Sequence, residues 1–121
     1  MKNTILKTFL LIILFALTDM PPLAFAEKAE DNYKLYCAQC HGLKGNGAGI
    51  NKADIPTTPR DHTNSVEMAR LKDSDLYLVI EQGGIATGKS TLMPPWKGVL
   101  TASEIKEMVN YLRELCKCKE P

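Results

Sequence analysis

A single five-residue stretch, CAQCH at residues 37–41, constrains the fold of this chain more than any other feature. Cysteines three positions apart lie on one face of a helix, so both thiols can react with one rigid group placed against that face. The imidazole that follows can turn beneath the same group and offer it a ring nitrogen. The stretch therefore predicts a site built around one large, covalently attached partner.

Cys37, Cys40 and His41 form the C-x-x-C-H pattern that is typical of covalent attachment of a c-type haem. We therefore predict one haem c, held by two thioethers and ligated by His41. Three alternatives use the same cysteines. A thioredoxin-like pair needs a strand before the motif, a zinc site needs a second ligand pair such as Cys116 and Cys118, and a structural disulfide is permitted in an exported chain.

The first 26 residues are predicted to be a secretory signal peptide, which leaves residues 27–121 as one small domain. Two lysines precede an apolar run at residues 9–17, and the small-residue sequence AFA ends at residue 26. The run is shorter than the roughly 20 apolar residues that span a bilayer. We expect a periplasmic protein that is attached to a membrane only if the leader is not cleaved.

The charge of the chain favours neither nucleic acid nor an anionic membrane as a partner. There are 15 basic and 14 acidic residues, and loss of Lys2, Lys7 and Asp19 with the leader makes the two numbers equal. A protein that binds polyanions normally carries an excess of positive charge.

Residues 83–90, GGIATGKS, match the phosphate-binding loop pattern G-x-x-x-x-G-K-[ST]. Such a loop needs a helix that begins at its lysine and serine, so that backbone N–H groups point at the phosphates. Here Pro94 and Pro95 follow shortly after Ser90, and Met93 before them is pushed towards an extended conformation. The sequence therefore predicts no nucleotide site.

Hydrophobic periodicity predicts three short helices. The first covers about residues 29–40, and the second covers residues 73–82, with Asp73 as its cap and Gly83-Gly84 at its end. The third begins with the capping box Thr101 to Glu104 and continues as an apolar stripe of Ile105, Met108, Val109, Leu112 and Leu115 or Cys116. The irregular span at residues 42–66 needs something to wrap around.

The motifs CAQCHG, GNGAG, PRDHT, EQGG, MPPW and YLREL, in this order, resemble the small class I c-type cytochromes over essentially all of residues 27–121. The resemblance implies a small all-α fold in which three or more short helices and loops wrap around one covalently bound haem. It also implies that the first and last helices cross, with Ala29 and Tyr33 facing Met108 and Tyr111.

The resemblance implies that His41 and Met93 are the two axial ligands of the haem iron. The prolines after Met93 favour a single presentation of its thioether, although methionine is more often a core residue. Met68 and Met108 are expected to be packing residues, and His62 is expected to be exposed or to cap a helix. The resemblance also implies a backbone carbonyl that orients the His41 ring, which the sequence does not identify.

Two further residues are candidates for contact with the haem propionates. The planar guanidinium of Arg60 suits a carboxylate, but a solvated surface arginine explains it equally well. Trp96 is expected to cover part of the haem pocket and to find a partner for its indole N–H.

Cys116 and Cys118 depart from the family pattern. They could bridge two molecules, bind metal, remain free or form a disulfide with each other, and closure within C-x-C is expected to be geometrically poor. No function is assigned to them.

The expected function is non-enzymatic transfer of one electron between larger redox proteins, among them a membrane or periplasmic oxidoreductase. Axial His and Met raise the potential of haem iron and leave it no open position. Lys44, Lys89 and Lys97 are candidates for charge steering. The alternatives are a haem protein with a displaceable Met93 that acts as a peroxidase or gas sensor, and a dedicated haem subunit of one complex.

Overall fold

The computed structural model describes residues 23–121, so most of the predicted signal peptide lies outside the described residues. This part of the chain is helical and contains no strand, which confirms the predicted all-α fold. None of its helices is long and apolar enough to cross a membrane. The elements are α1 (Leu23–Tyr36), α2 (Ala38–His41), a 3-10 helix (Ile50–Asp54), α3 (Ser65–Met68), α4 (Asp73–Ala86) and α5 (Ala102–Cys116).

The centre of the fold is the packing of α1 against α5, as predicted. Tyr33 of α1 is fully buried, and its ring centroid lies 5.3 Å from that of Tyr111 on α5. Ala29 of α1 and Met108 of α5 are also buried. Aromatic rings at this separation add stabilisation beyond the area they bury, so Tyr33 is an anchor of the helix pair.

The start of α5 is the predicted capping box. The Thr101 hydroxyl accepts from the Glu104 backbone N–H at 3.2 Å, and the Glu104 carboxylate accepts from the Thr101 N–H at 2.8 Å. The hydrogen bond from the Thr101 backbone N–H, followed by those from Lys28 and from the Thr101 hydroxyl, lowers the pKa of the Glu104 carboxyl to about 2. The stripe that follows is buried as predicted, at Ile105, Met108, Val109, Leu112 and Cys116.

The prediction that Asp73 caps α4 is wrong. The N-cap position is Lys72, which makes no side-chain cap bond, and Asp73 is already inside the helix. Its carboxylate accepts from the Arg113 Nε–H at 2.7 Å. The guanidinium of Arg113 also donates to the carbonyl oxygens of Met68 at 2.8 Å and Leu71 at 2.6 Å. Arg113 therefore ties the segment from α3 to α4 onto α5.

We expect Arg113→Met to lower the free energy of unfolding by about 2–4 kcal/mol. The substitution keeps an apolar stem but removes the Arg113 donors to the Asp73 carboxylate and to the Leu71 carbonyl oxygen. The Met68 carbonyl loses one of its two donors and keeps the Leu71 N–H at 3.1 Å. Loss of partners for partly buried polar groups is costly. Guanidinium-induced unfolding followed by circular dichroism measures the change. The matched control is Lys106→Met on the exposed side of the same helix, which should be nearly neutral; equal losses for both variants would contradict the role given to Arg113.

The end of α4 is shaped by its glycine pair. Gly83 leaves helical geometry (φ 77°, ψ 177°) before one more turn runs to Ala86. The Gly84 N–H donates to the Met93 carbonyl at 2.9 Å. A Cβ at Gly83 would lie 2.7 Å from the Pro95 nitrogen, and one at Gly84 would collide with the Ser90 carbonyl oxygen. Only glycine therefore allows the loop that carries Met93 to lie against α4.

The loop from Thr87 to Pro95 consists of turns and irregular backbone. Within the part of the chain that the structure describes, no helix begins at Lys89 or Ser90. The helix N-terminus that a phosphate-binding loop requires is therefore missing there.

Cys116 and Cys118 form a disulfide, so the expectation of poor closure within C-x-C is wrong. Lys117 between them is the C-cap of α5 and adopts the left-handed conformation (φ 50°, ψ 41°), with the two Cα atoms 5.2 Å apart. This turn of the backbone directs both side chains towards each other. The pair is consequently not available as thiolate ligands, and the zinc alternative for Cys37 and Cys40 lacks its second ligand pair.

Candidate functional site

The cysteine motif lies where α1 passes into α2. The backbone hydrogen bonds continue through it, from Cys37 N–H to the Tyr33 carbonyl at 2.8 Å and from His41 N–H to the Cys37 carbonyl at 2.9 Å. Cys37 and Cys40 are both free thiols and half-buried. Burial, with a smaller effect of Cys40, raises the pKa of the Cys37 thiol to about 12. The Cys37 sulfur is thus a neutral thiol one helical turn from that of Cys40, and the motif is preceded by a helix rather than the strand of a thioredoxin-like pair.

The His41 ring is oriented by a backbone carbonyl. Its Nδ1–H donates to the Arg60 carbonyl oxygen at 3.0 Å. Since a carbonyl can only accept, Nδ1 must carry the proton, which leaves the lone pair of Nε2 free for a metal. Burial is the main cause of a lowered pKa for His41, which also favours the neutral ring. Sequence reasoning missed this role of Arg60, because a backbone acceptor leaves no side-chain pattern.

His62 is buried, with 8 % of its surface exposed, so the expectation of an exposed or capping residue is wrong. Its ring stacks on that of His41, with centroids 4.2 Å apart and planes inclined by 18°. Its Nδ1 is hydrogen-bonded to the Tyr33 hydroxyl at 3.0 Å. Burial first, and then the neighbouring His41, lower the pKa of His62 to about 3. Both rings are therefore neutral at physiological pH.

Trp96 lies beside the motif. Its ring centroid is 5.1 Å from that of Tyr36, the residue before Cys37, and its backbone N–H donates to the Ile80 carbonyl at 3.0 Å. The indole Nε1–H is buried and has no hydrogen-bond partner within the described residues. A buried donor of this kind normally has an acceptor, so it fits a group such as a carboxylate that the chain itself does not supply.

Contact of the Arg60 side chain with a haem propionate stays a prediction. The Arg60 guanidinium is exposed and lies 3.9 Å from the Glu67 carboxylate, a separation at which an exposed ion pair contributes little.

Met93 is half-buried, and its backbone is hydrogen-bonded to Gly84 as described above. Met68 and Met108 are fully buried packing residues, as expected.

These residues fit a covalently attached haem. Two free thiols share one face of the helix, an oriented imidazole presents Nε2, and an unpartnered indole N–H lies nearby. Residues 23–121 contain no group of three His, Cys, Asp or Glu side chains that could hold a bare metal ion. The fold and the site together define a small class I c-type cytochrome.

The family model described as "Cytochrome C oxidase, cbb3-type, subunit III" matches residues 24–112, and the chain belongs to this family. Membership implies a covalently bound c-type haem and a role in electron transfer. A search of curated proteins finds no match.

Several solved structures resemble the chain, and two of them are described here. One is a chain of the "Kuenenia stuttgartiensis reducing HAO-like protein complex Kustc0457/Kustc0458", with a TM-score of 0.62 and 27% identity over 78% of this chain. The present chain covers only 46% of that one. The other is the "KustC0563 c-type cytochrome", with a TM-score of 0.59 and 24% identity over 72% of this chain and 95% of that one, which supports the fold.

Proposed function

We propose that this protein is an exported electron carrier with one haem c, bound to Cys37 and Cys40 and ligated by His41 and Met93. The observation that carries the proposal is the hydrogen bond from His41 Nδ1–H to the Arg60 carbonyl, which leaves Nε2 as the free nitrogen beside two free thiols. The number of haems rests on the sequence, which contains a single C-x-x-C-H motif.

The stacking of His62 on His41 supports Met93 as the second axial ligand. Ligands on opposite sides of an iron point their donor atoms at each other along one axis, whereas these two rings lie face to face. His62 in this position cannot be the partner of His41 across the metal. The backbone of Met93 is held by the hydrogen bond from the Gly84 N–H to its carbonyl oxygen and by the two prolines after it, which suits a fixed sulfur ligand.

The chain's own residues give the site its electron-transfer character. A bound haem supplies a one-electron couple between ferric and ferrous iron. His41 and Met93 would fill both axial positions and exclude water from the metal, and the Trp96 N–H would donate to a propionate. Ligands that stay the same in both oxidation states keep the nuclear rearrangement small, which suits a carrier rather than an enzyme.

The predicted leader supports a periplasmic location, and exposed lysines on the surface support brief encounters with a redox partner. Residues 27–121 would work in the periplasm, where the domain would meet a membrane or periplasmic oxidoreductase in brief encounters. Lys44, Lys89 and Lys97 are all exposed and can steer such encounters.

A redox-titrated absorption spectrum of the purified protein tests the proposal. We expect one haem with a single-electron transition, a weak far-red sulfur-to-iron band in the ferric form, and a ferrous form that does not react with carbon monoxide. Rapid binding of carbon monoxide at neutral pH would instead support a peroxidase or gas sensor with a displaceable Met93.

A dedicated haem subunit is the second candidate. It is favoured by the likeness to a chain from a protein complex and by the name of the family, which describes an oxidase subunit. Purification from the native host under mild conditions distinguishes the two. A carrier elutes alone at the size of one chain, whereas a subunit co-elutes with the same proteins in constant proportion.

A further inference from the structure

The contacts of His62 go beyond what burial alone requires. Three separate interactions hold this residue: its backbone N–H donates to the Gly45 carbonyl at 2.6 Å, its Nδ1 is bonded to the Tyr33 hydroxyl, and its ring lies on His41. Gly45 suits this position because its backbone is in the left-handed region (φ 76°), and a Cβ there would approach the Leu115 Cδ1 to 3.0 Å.

The segment that carries His62 is also fixed on its other side. Asp61 accepts from the Thr63 backbone N–H at 2.8 Å and from the Thr63 hydroxyl at 2.6 Å, which closes a tight turn. The residue before Asp61 provides the carbonyl that binds His41 Nδ1. One short segment thus contacts the His41 ring twice, at its edge through Arg60 and on its face through His62.

These two contacts restrict different motions of the imidazole. A single hydrogen bond at Nδ1 fixes one point of the ring but still allows the ring to rock about that point. An aromatic face 4.2 Å away opposes this rotation, because turning the ring would drive its edge into its neighbour. Tyr33 in turn links His62 to the packing of α1 against α5.

We propose that His62 is a positioning residue for the proximal ligand, and that its ring sets the rotational orientation of the His41 imidazole about the iron–nitrogen bond. This inference rests on the proposed attachment of haem to His41. The orientation of the imidazole plane determines how unpaired spin is distributed over the porphyrin and contributes to the reduction potential. His62 therefore tunes the site without touching the metal.

The test compares His62→Leu with His62→Phe in the haem-loaded ferric protein. Phenylalanine keeps a flat ring that can stack on His41, leucine fills similar space without a flat face, and both lose the bond to Tyr33. Proton nuclear magnetic resonance of the four haem methyl groups reports the orientation of the imidazole plane, and a redox titration gives the potential. Arg113→Met serves as a control that is destabilised at a distance from His41.

We expect His62→Leu to change the order and spread of the four methyl signals and to shift the potential, while His62→Phe and Arg113→Met keep the parent pattern. If leucine also keeps the parent pattern, or if leucine and phenylalanine shift it equally, the proposal is wrong and His62 is a packing residue only. If the parent protein itself carries no haem, the proposed function fails first, so the two failures are distinguishable.

Discussion

Replacement of both Cys37 and Cys40 by serine is expected to abolish covalent attachment of haem completely. Serine hydroxyls do not form thioethers, and the two thiols are the free ones on the helix that leads to His41. The protein would be expressed in a host that matures c-type cytochromes, extracted with acidic organic solvent and weighed by mass spectrometry. The parent chain should keep the added mass of one haem after extraction, and the variant should have the mass of the bare polypeptide.

The other two cysteines provide the matched control. Cys116 and Cys118 are joined to each other at the end of α5, so the double variant Cys116→Ser/Cys118→Ser should retain one covalent haem. A parent protein that is colourless and has the mass of the bare chain would end the haem proposal. A second added haem would contradict the proposed number.

Substitution of Met93 by leucine is expected to produce the largest change in redox properties. Leucine has nearly the volume of methionine but no donor atom, so the iron would lose a soft ligand while the loop stays packed against Gly83 and Gly84. We expect the far-red band to disappear, the ferrous form to bind carbon monoxide, and the potential to fall by on the order of 0.1–0.2 V, a modest part of the about 0.8 V range that axial ligands set.

Met68→Leu is the control for this substitution, because it makes the same chemical change at a fully buried packing residue. It should leave the potential and the reaction with carbon monoxide unchanged. If Met93→Leu behaves in the same way as Met68→Leu, Met93 is not an axial ligand.

Local patterns predict the parts of this fold that depend on neighbouring residues. The capping box at Thr101, the apolar stripe of α5 and the break at Gly83 are all fixed by residues within a few positions of each other. The cysteine motif belongs to this group as well, because the predicted attachment of haem depends only on the identity and helical spacing of residues 37–41. The family resemblance adds the packing of the first helix against the last, which the contacts between α1 and α5 and the pairing of Tyr33 with Tyr111 confirm.

The wrong predictions concern residues whose conformation or partners the local pattern does not specify. The pattern predicts Asp73 as the cap of α4, but its carboxylate is bound by Arg113, 40 positions away. The irregular span predicts a surface position for His62, yet Tyr33, 29 positions away, provides a buried partner for its ring. The C-x-C pair closes because Lys117 adopts a left-handed conformation, which is uncommon for lysine. Hydrophobic periodicity carries no information about such features.

The hydrogen bond between the Gly84 N–H and the Met93 carbonyl allows the loop between these two residues to vary in length. It closes the base of the intervening hairpin-like excursion, whose tip at Gly88 is open, since a Cβ there would meet no other atom within 4 Å. Residues added at that tip would extend into solvent and would not displace the Met93 sulfur. A linker inserted at Gly88 could therefore attach the protein to an electrode without changing the axial ligands of the haem iron.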